Sequence, residues 1–238
     1  MIYSRSIIKK GKLCRSEYNN IILDNIKIIG DYGLYCAFSE CTGITGSVSF
    51  PELTSIGDSG LSDAFYYTGI TGSVSFPKLT SIGNSGLSNA FYGCTGITGS
   101  ISFPELTSVS SGGLAGVFSE CTGITGSVSF PKLTSIGNSG LSNAFYGCTG
   151  ITGSISFPEL TIIGAYGLYY AFSGCPGITG SVSFPKLTSI GDSGLSDAFY
   201  YTGITEIHFR SDAQSTVEAT EDYSSKFGAT NATIYFDL

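Results

Sequence analysis

A unit of 26 or 27 residues recurs along this sequence with almost no change. Residues 67–93 and 121–147 differ only at their first position, where one copy has Tyr67 and the other Cys121. Such identity indicates duplication of one structural unit, which buries its apolar side chains only against a neighbouring copy. The chain is therefore expected to fold as a linear array of stacked coils. Six full units begin at Cys41, Tyr67, Cys94, Cys121, Cys148 and Cys175, and a seventh begins at Tyr201 and loses the pattern.

Each unit carries the pattern of a coil with three sides. Residues 72–76 alternate polar and apolar side chains, which predicts a strand with one buried face. Residues 79–82 predict a second short strand, and residues 87–91 predict a single helical or 3-10 turn. Proline has no amide hydrogen for a sheet, so the proline after the first strand marks the same strand end in every coil. These prolines are Pro51, Pro77, Pro104, Pro131, Pro158 and Pro185.

The two ends of the chain are predicted to be caps. Residues 26–40 match residues 160–174, so a partial coil precedes the first full unit and its strand is expected near residues 19–23. Residues 1–18 are then left as an N-terminal cap with a hairpin turn at residues 9–12.

The solenoid is predicted to cover residues 19–209, and residues 210–238 are predicted to form the C-terminal cap. In this cap Ser211 is expected to begin a helix over residues 212–221, through a capping box with Gln214. Residues 232–236 predict a last strand.

Composition and charge exclude several classes of function. Charged residues make up 12% of the chain, glycine fills 33 positions and the net charge is -7, so nucleic acid is not an expected partner. No stretch approaches the roughly 18 apolar residues of a membrane span. Near the start, Arg5, Lys9, Lys10 and Lys12 interrupt every apolar run, so no signal peptide is predicted.

The repeated unit resembles a known family. The segment AFYGCTGITGSISFPELT at residues 90–107 recurs unchanged at residues 144–161, and it is similar to the BspA-like leucine-rich repeat. The resemblance extends over residues 19–209 and implies a surface or secreted protein of the kind implicated in adhesion in bacteria and protists, with similar arrays in phage-associated genes. We predict a β-rich (α+β) solenoid, a right-handed stack of about seven coils with a parallel sheet, short helical or 3-10 turns and a C-terminal cap.

Equivalent residues of successive coils form columns, and two of these columns are predicted to be structural. One alternates in charge, which favours adjacent strands in the correct register; it consists of Glu52, Lys78, Glu105, Lys132, Glu159 and Lys186. The other is a column of cysteines, in which parallel inward side chains rarely reach disulfide geometry, so buried thiols are favoured over disulfides. It consists of Cys41, Cys94, Cys121, Cys148 and Cys175, with Tyr67 and Tyr201 read as replacements of cysteine.

One further column is the candidate binding surface. Tyrosine gives a large contact area at low entropic cost, and it follows the buried Ala-Phe pair in four coils; these tyrosines are Tyr66, Tyr92, Tyr146 and Tyr200. Packing of the same rings against the coils is the alternative interpretation. His208 is the only histidine, flanked by Glu206 and Arg210, and is expected to face outward at the cap rather than to act in catalysis.

The sequence thus predicts a non-catalytic binding or adhesion scaffold, cell-surface or secreted by resemblance, that recognises a protein or a glycan. A structural spacer or a phage-associated display protein is the alternative hypothesis. No acid pair, nucleophile with a nearby base or phosphate-binding loop favours an enzyme. No cofactor and no metal are predicted.

Overall fold

The structure is a computed structural model that describes residues 21–238. The predicted N-terminal cap and its hairpin lie outside these residues. The described chain is a parallel β-solenoid of about eight turns with little helix. The turn added to the predicted seven comes from the partial first unit, which forms both of its strands.

The first side of each coil is a short parallel strand that begins or ends near the serines of the repeat. Alternation places Val48, Val74 and Val128 inward, while the serines between them face outward. The strands form three separate three-stranded sheets, ordered β1-β3-β5, β7-β9-β11 and β13-β15-β16. Their bounds are β1 Ile21–Ile22, β3 Val48–Ser49, β5 Val74–Ser75, β7 Gly99–Ser102, β9 Ile124–Ser129, β11 Ile155–Ser156, β13 Thr179–Phe184, β15 Gly203–Phe209 and β16 Thr233–Phe236.

The second side forms one continuous parallel sheet of seven strands in chain order. Each strand has two residues, and the second of them points into the core in all but the last coil. Register is kept from coil to coil, as in the pairing of Ile56 with Ile82 and of Ile82 with Val109. The strands are β2 Ile28–Ile29, β4 Ser55–Ile56, β6 Ser81–Ile82, β8 Ser108–Val109, β10 Ser135–Ile136, β12 Ile162–Ile163 and β14 Ser189–Ile190.

The third side is a chain of overlapping turns, and the predicted helical or 3-10 turn at residues 87–91 is wrong in this detail. Alternate amides donate to the next coil, as Leu87 N does to Gly113 O at 2.8 Å. The amides between them donate within the coil to the residue three positions earlier, as Ala90 N does to Leu87 O. Every fourth residue then has a positive φ, for example Ser85 at 51° and Asn89 at 49°. A helix would keep all its bonds inside the coil, whereas this arrangement gives half of them to the neighbour.

The core consists of columns of identical side chains along the solenoid axis. The phenylalanines that follow the first strand stack face to face, with centroids 5.1 Å apart for Phe50 and Phe76 and 5.6 Å for Phe76 and Phe103. The phenylalanines of the Ala-Phe pair form a second column, which includes Phe65, Phe91 and Phe118. Leucine, isoleucine and alanine fill the remaining inward positions. Each ring is therefore covered on both faces only because a coil lies on either side of it.

The C-terminal segment covers the last coil, but its helix begins differently from the prediction. A 3-10 turn spans Ser211–Ala213 and the helix α1 spans only Gln214–Glu218. Arg210 precedes the 3-10 turn and neither helical segment has a side-chain cap, so the predicted capping box of Ser211 and Gln214 is wrong. Arg210 instead pairs with Asp212. The final strand pairs in parallel with Gly203–Phe209, and Val217 and Phe227 are buried against the array.

His208 joins the last two strands through charged neighbours. Its Nδ1 lies 2.9 Å from Asp237 Oδ1 and its Nε2 lies 3.4 Å from Glu206 Oε2, and its ring stacks on Tyr235 with centroids 4.8 Å apart. The hydrogen bond to Asp237 is the main cause that raises the pKa of His208, opposed by partial burial. Protonation of His208 therefore strengthens its contacts with Asp237 and Glu206 at this end of the solenoid.

We expect the contribution of His208 to stability to depend on pH. A raised pKa in the folded state means that this stabilisation is fully present below the unfolded pKa of about 6.5 and is lost as the pH rises through the folded value. Chemical denaturation of wild type and His208→Gln at pH 5.5 and pH 8.5 measures it. The free energy of unfolding of the wild type should exceed that of the variant by more at pH 5.5 than at pH 8.5. An equal difference at both pH values would contradict the assignment.

The phenylalanine column predicts a large penalty for removing one ring from the middle of the array. Phe91 is fully buried between Phe65 and Phe118, so Phe91→Ala should lower the free energy of unfolding by about 3–5 kcal/mol. Tyr201→Ala, at a residue 71% exposed, is the control and should change it by less than about 0.5 kcal/mol. Denaturant melts of the three proteins give both values, and a loss below about 1 kcal/mol for Phe91→Ala would show that the column is loosely packed.

A tyrosine-walled notch as the candidate functional site

The four predicted tyrosines lie on the third side, and they are not equivalent. Tyr66 and Tyr92 stack on each other with centroids 5.1 Å apart and an interplanar angle of 20°. Tyr146 and Tyr200 have no tyrosine at the equivalent position of either neighbouring coil, and they are 42% and 41% exposed. The rim is therefore divided into a pair and two separate rings.

Each gap lies at a coil that has serine in place of tyrosine, Ser119 or Ser173, and the coil of Ser119 also has small side chains at three other outward positions of its third side. We call residues 94–120 the notched coil, and residues 67–93 and 121–147 the flanking coils. Where the flanking coils have Ser, Ser, Asn and Tyr pointing outward on the third side, the notched coil has Gly112, Ala115, Gly116 and Ser119. Its inward residues remain large, with Val117 in place of alanine and Leu114 and Phe118 unchanged. Side chains are thus smaller at these four outward positions and not in the core, while Glu120 replaces the glycine that ends this side in both flanking coils.

These substitutions open a cavity of about 480 Å³ between the flanking coils, which we call the notch. Ala115, Gly116 and Ser119 form its floor. Its two walls have the same composition, because the flanking coils share one sequence. Ser88, Asn89 and Tyr92 line one wall, and Ser139, Ser142, Asn143 and Tyr146 line the other. Equivalent atoms of the two walls are two coils apart, which is about 10 Å at the spacing of parallel strands.

The backbone of the notched coil is the same as that of its neighbours, so the floor is rigid. Gly93 N donates to Ser119 O at 2.8 Å, and Glu120 N donates to Tyr146 O at 2.7 Å, which ties the floor to both walls. Gly116 has a φ of 61°, where its counterpart Asn89 has 49°. A Cβ at Gly116 would overlap Asn89 Oδ1, so glycine here leaves room for the amide of the wall to lie over the floor.

The notch is uncharged although the chain is acidic. Its ten lining residues are serine, asparagine, tyrosine, alanine and glycine, whereas the whole chain carries a net charge of -7. A carboxylate stands behind one wall, where Glu120 Oε1 accepts a hydrogen bond of 2.7 Å from Tyr92 Oη. This bond is the main cause that raises the pKa of Tyr92, with burial second, so the phenol is neutral and held in place. The site can therefore offer aromatic faces, amides and hydroxyls, and has no group suited to acid-base catalysis.

Other tyrosines form two exposed clusters that the Ala-Phe-Tyr pattern did not identify. Tyr32 and Tyr35 lie at one end, with ring centroids 5.9 Å apart, and Tyr166, Tyr169 and Tyr170 lie near the other. The match between residues 26–40 and 160–174 aligns Tyr32 with Tyr166 and Tyr35 with Tyr169. This match could have identified the two clusters from the sequence. A hydrogen bond to Asp197 is the main cause that raises the pKa of Tyr170 to about 12.

The alternating charge column forms separate ion pairs and not a continuous ladder. Each lysine reaches the glutamate of the preceding coil, as Lys78 Nζ does to Glu52 Oε1 at 2.7 Å, and the hydrogen bond from Lys78 lowers the pKa of Glu52. The other pairs are Lys132 with Glu105 at 2.6 Å and Lys186 with Glu159 at 2.5 Å. No ion pair joins Lys78 to Glu105 or Lys132 to Glu159 anywhere in the described part of the chain. These half-exposed pairs are solvated and screened, and they favour register more than stability.

Four of the predicted cysteines form a column of buried thiols. Each Sγ lies 2.9–3.1 Å from the carbonyl oxygen of the phenylalanine 29 or 30 residues earlier in the chain and donates to it, as Cys121 does to Phe91 O. Burial raises the pKa of all four thiols, that of Cys175 to about 12, which disfavours the reactive thiolate. The four are Cys94, Cys121, Cys148 and Cys175.

The column departs from the prediction at two kinds of position. Cys41, predicted to be a thiol, is disulfide-bonded. Tyr67 does not replace cysteine, because Thr68 occupies that place, with its amide bonded to Phe65 O and its Oγ1 3.2 Å from Cys94 Sγ. Thr202 likewise takes the place that was assigned to Tyr201. The missing residue of a 26-residue coil lies after the column, so both tyrosines project outward at positive-φ positions.

Neither a metal-binding cluster nor a membrane-spanning helix is found in the described part of the chain. Across residues 21–238 no three His, Cys, Asp or Glu side chains are grouped so as to hold a metal ion. No helix in the same range is both long and apolar enough to cross a bilayer.

Comparison with solved structures finds leucine-rich repeat proteins that share 14–23% identity with this chain and cover 91–92% of it. A leucine-rich repeat protein from Bacteroides ovatus is 23% identical with a TM-score of 0.49, and this chain spans 54% of its length. The leucine-rich repeat protein of T. pallidum is 14% identical with a TM-score of 0.48 and 78% of its length covered. A leucine-rich cell surface protein from Faecalibacterium prausnitzii is 17% identical with a TM-score of 0.41 and 60% of its length covered.

Comparison with curated proteins finds no match. The model of the BspA type leucine-rich repeat region matches six copies, over residues 6–140, 61–166 and 141–226. These matches span most of the sequence and follow the coils described above, and on them we conclude that the chain belongs to the family of BspA-type leucine-rich repeat proteins.

Proposed function

We propose that this protein is a non-catalytic binding module that recognises a protein or a glycan, at a cell surface or after secretion. The observation that carries the proposal is the notch, where four outward positions of one coil carry smaller side chains than both flanking coils and leave a cavity between them. A volume of about 480 Å³ falls within the range of ligand-binding cavities. The location at a surface rests on what proteins of this family are implicated in.

Two of the four rim tyrosines are assigned to the binding site. Tyr92 and Tyr146 line the notch, whereas Tyr66 packs on the outer face of Tyr92 and Tyr200 stands against Tyr201, with centroids 4.4 Å apart. A ligand between the walls would contact the two aromatic faces and the amides of Asn89 and Asn143. Tyr66 then acts as support for Tyr92.

A structural spacer remains a second candidate, because one observation favours it. The near identity of residues 67–93 and 121–147 is what duplication of a length-setting unit leaves behind. The two candidates differ in what they require of the notched coil. A spacer has no use for a coil whose outward side chains are removed together, whereas a binding site depends on it.

Substitution of the notch tyrosine tests the proposal. Tyr146→Ser should weaken binding at least tenfold, since it removes one aromatic wall, and Tyr200→Ser, at a residue of equal exposure in the same column, should leave binding within twofold. The measurement is binding of folded wild type and both variants to arrays of glycans and extracellular matrix proteins, with far-ultraviolet circular dichroism as the check on folding. Absence of binding by folded wild type would favour the spacer, and equal loss in both variants would move the site out of the notch.

A further inference from the structure

The width and the lining groups of the notch indicate a narrower class of ligand than a protein or a glycan. This inference rests on the proposed function and names the ligand of the same site. Two tyrosine rings on either side of a one-coil gap leave room for one flat group between them. Asn89 and Asn143 line opposite walls, and Ser119 lies on the floor.

The distance between the walls fits a slab about one saturated ring thick. The backbones that carry Tyr92 and Tyr146 are two coil spacings apart, about 10 Å, and two rings stacked along the axis would themselves occupy about 3.5 Å of this. About 6 Å remains, which is more than an aromatic ring needs and suits the thicker, puckered ring of a pyranose. Tyr66 and Tyr92, on adjacent coils, show that rings on this side of the solenoid stack along its axis and so present their faces across the gap.

The polar groups of the notch select an uncharged ligand with many hydroxyls. Six of the ten lining residues carry a hydroxyl or an amide besides the two tyrosines, namely Ser88, Asn89, Ser119, Ser139, Ser142 and Asn143. An aliphatic side chain of a protein partner would cover these groups without giving them hydrogen bonds, at a cost for each. A charged ligand would lose its hydration with no opposite charge in the lining to compensate. A sugar ring avoids both penalties, because its hydroxyls donate and accept as the amides do and its C–H faces pack on the tyrosines.

We propose that the notch binds one neutral hexopyranose residue of a glycan, held between Tyr92 and Tyr146 and hydrogen-bonded to Asn89 and Asn143. The net charge of -7 and Glu120, which accepts a hydrogen bond from Tyr92, disfavour anionic sugars. A single ring in a shallow site binds with a Kd on the order of 1 mM. Multivalent display of the glycan raises the apparent affinity without any new contact.

The chain itself supplies a variant that fills the notch and should fold. Ser119→Tyr restores the residue that both flanking coils have at this position, and Tyr66 and Tyr92 show that tyrosines on adjacent coils stack well. Ser39→Tyr makes the same change in the same column three coils before Ser119, next to Tyr66. The pair separates filling of the notch from the addition of a tyrosine to the rim.

The test is saturation-transfer NMR of the full chain with methyl glucoside, methyl galactoside and methyl mannoside, beside sialic acid and glucuronic acid. A glycan array and an extracellular matrix protein array run in parallel. We expect at least one neutral glycoside to bind, binding to fall at least tenfold in Ser119→Tyr and to stay within twofold in Ser39→Tyr. Circular dichroism and thermal melts confirm that both variants are folded.

The other outcomes separate this inference from the proposed function. Preference for the acidic sugars, or neutral binding that survives in Ser119→Tyr, would overturn the neutral-sugar site. Binding of a matrix protein, but of no glycan, that is lost in Ser119→Tyr would overturn the inference and leave the binding module intact. Binding of nothing by folded wild type would overturn both.

Discussion

Hydrogen bonding between successive coils is the constraint on which the rest of this structure depends. On all three sides, amides of one coil donate to carbonyls of an adjacent coil, in strands on two sides and in every second residue of the turns on the third. No coil can satisfy its own backbone, and buried unpaired backbone groups are costly. The backbone must therefore repeat almost unchanged, and the side chains are forced into columns. The phenylalanine stacks, the thiol column and the charge pairs all follow from this one requirement.

The same constraint explains the positive-φ residues of the third side. On the third side half of the amides bond within the coil, and the other half point along the axis. This arrangement requires a left-handed residue at every fourth position, where a residue other than glycine has backbone strain. Asparagine tolerates this region better than most residues, which suits Asn89 and Asn143. Gly112 and Gly116 relieve the strain in the notched coil while they remove side chains from its surface. The same two glycines therefore relieve backbone strain in the notched coil and leave space at its surface.

Much of this could be predicted from sequence because the repeat reports on the fold many times over. Alternation at residues 72–76, confirmed by the proline that follows, gave the first strand, and residues 79–82 gave the second. The turns of the third side were misassigned because leucine and phenylalanine four residues apart fit a helix as well as overlapping turns. Alignment without a gap placed Tyr67 in the cysteine column, since only the three-dimensional register shows that Thr68 makes the bond of that column. The helix in the cap begins at Gln214 without a side-chain cap, and Asp212 pairs with Arg210, which the capping pattern of Ser211 and Gln214 did not indicate.

The notch was not foreseen, although every residue of it can be read from the sequence. Ala115, Gly116 and Ser119 look like ordinary loop residues until the third side is known to be rigid and its outward positions are aligned. With these positions aligned, the two walls are copies related by a translation along the axis. A ligand between them therefore contacts opposite faces of two equivalent tyrosine rings. The copies differ in their surroundings: Tyr66 stacks on Tyr92 and Glu120 anchors Tyr92 Oη, whereas Tyr146 has Ser173 on its outer side and Gly174 at the position that corresponds to Glu120. The duplicated sequences thus form one wall whose tyrosine is fixed and one whose tyrosine can adjust. This difference comes from the residues of the neighbouring coils.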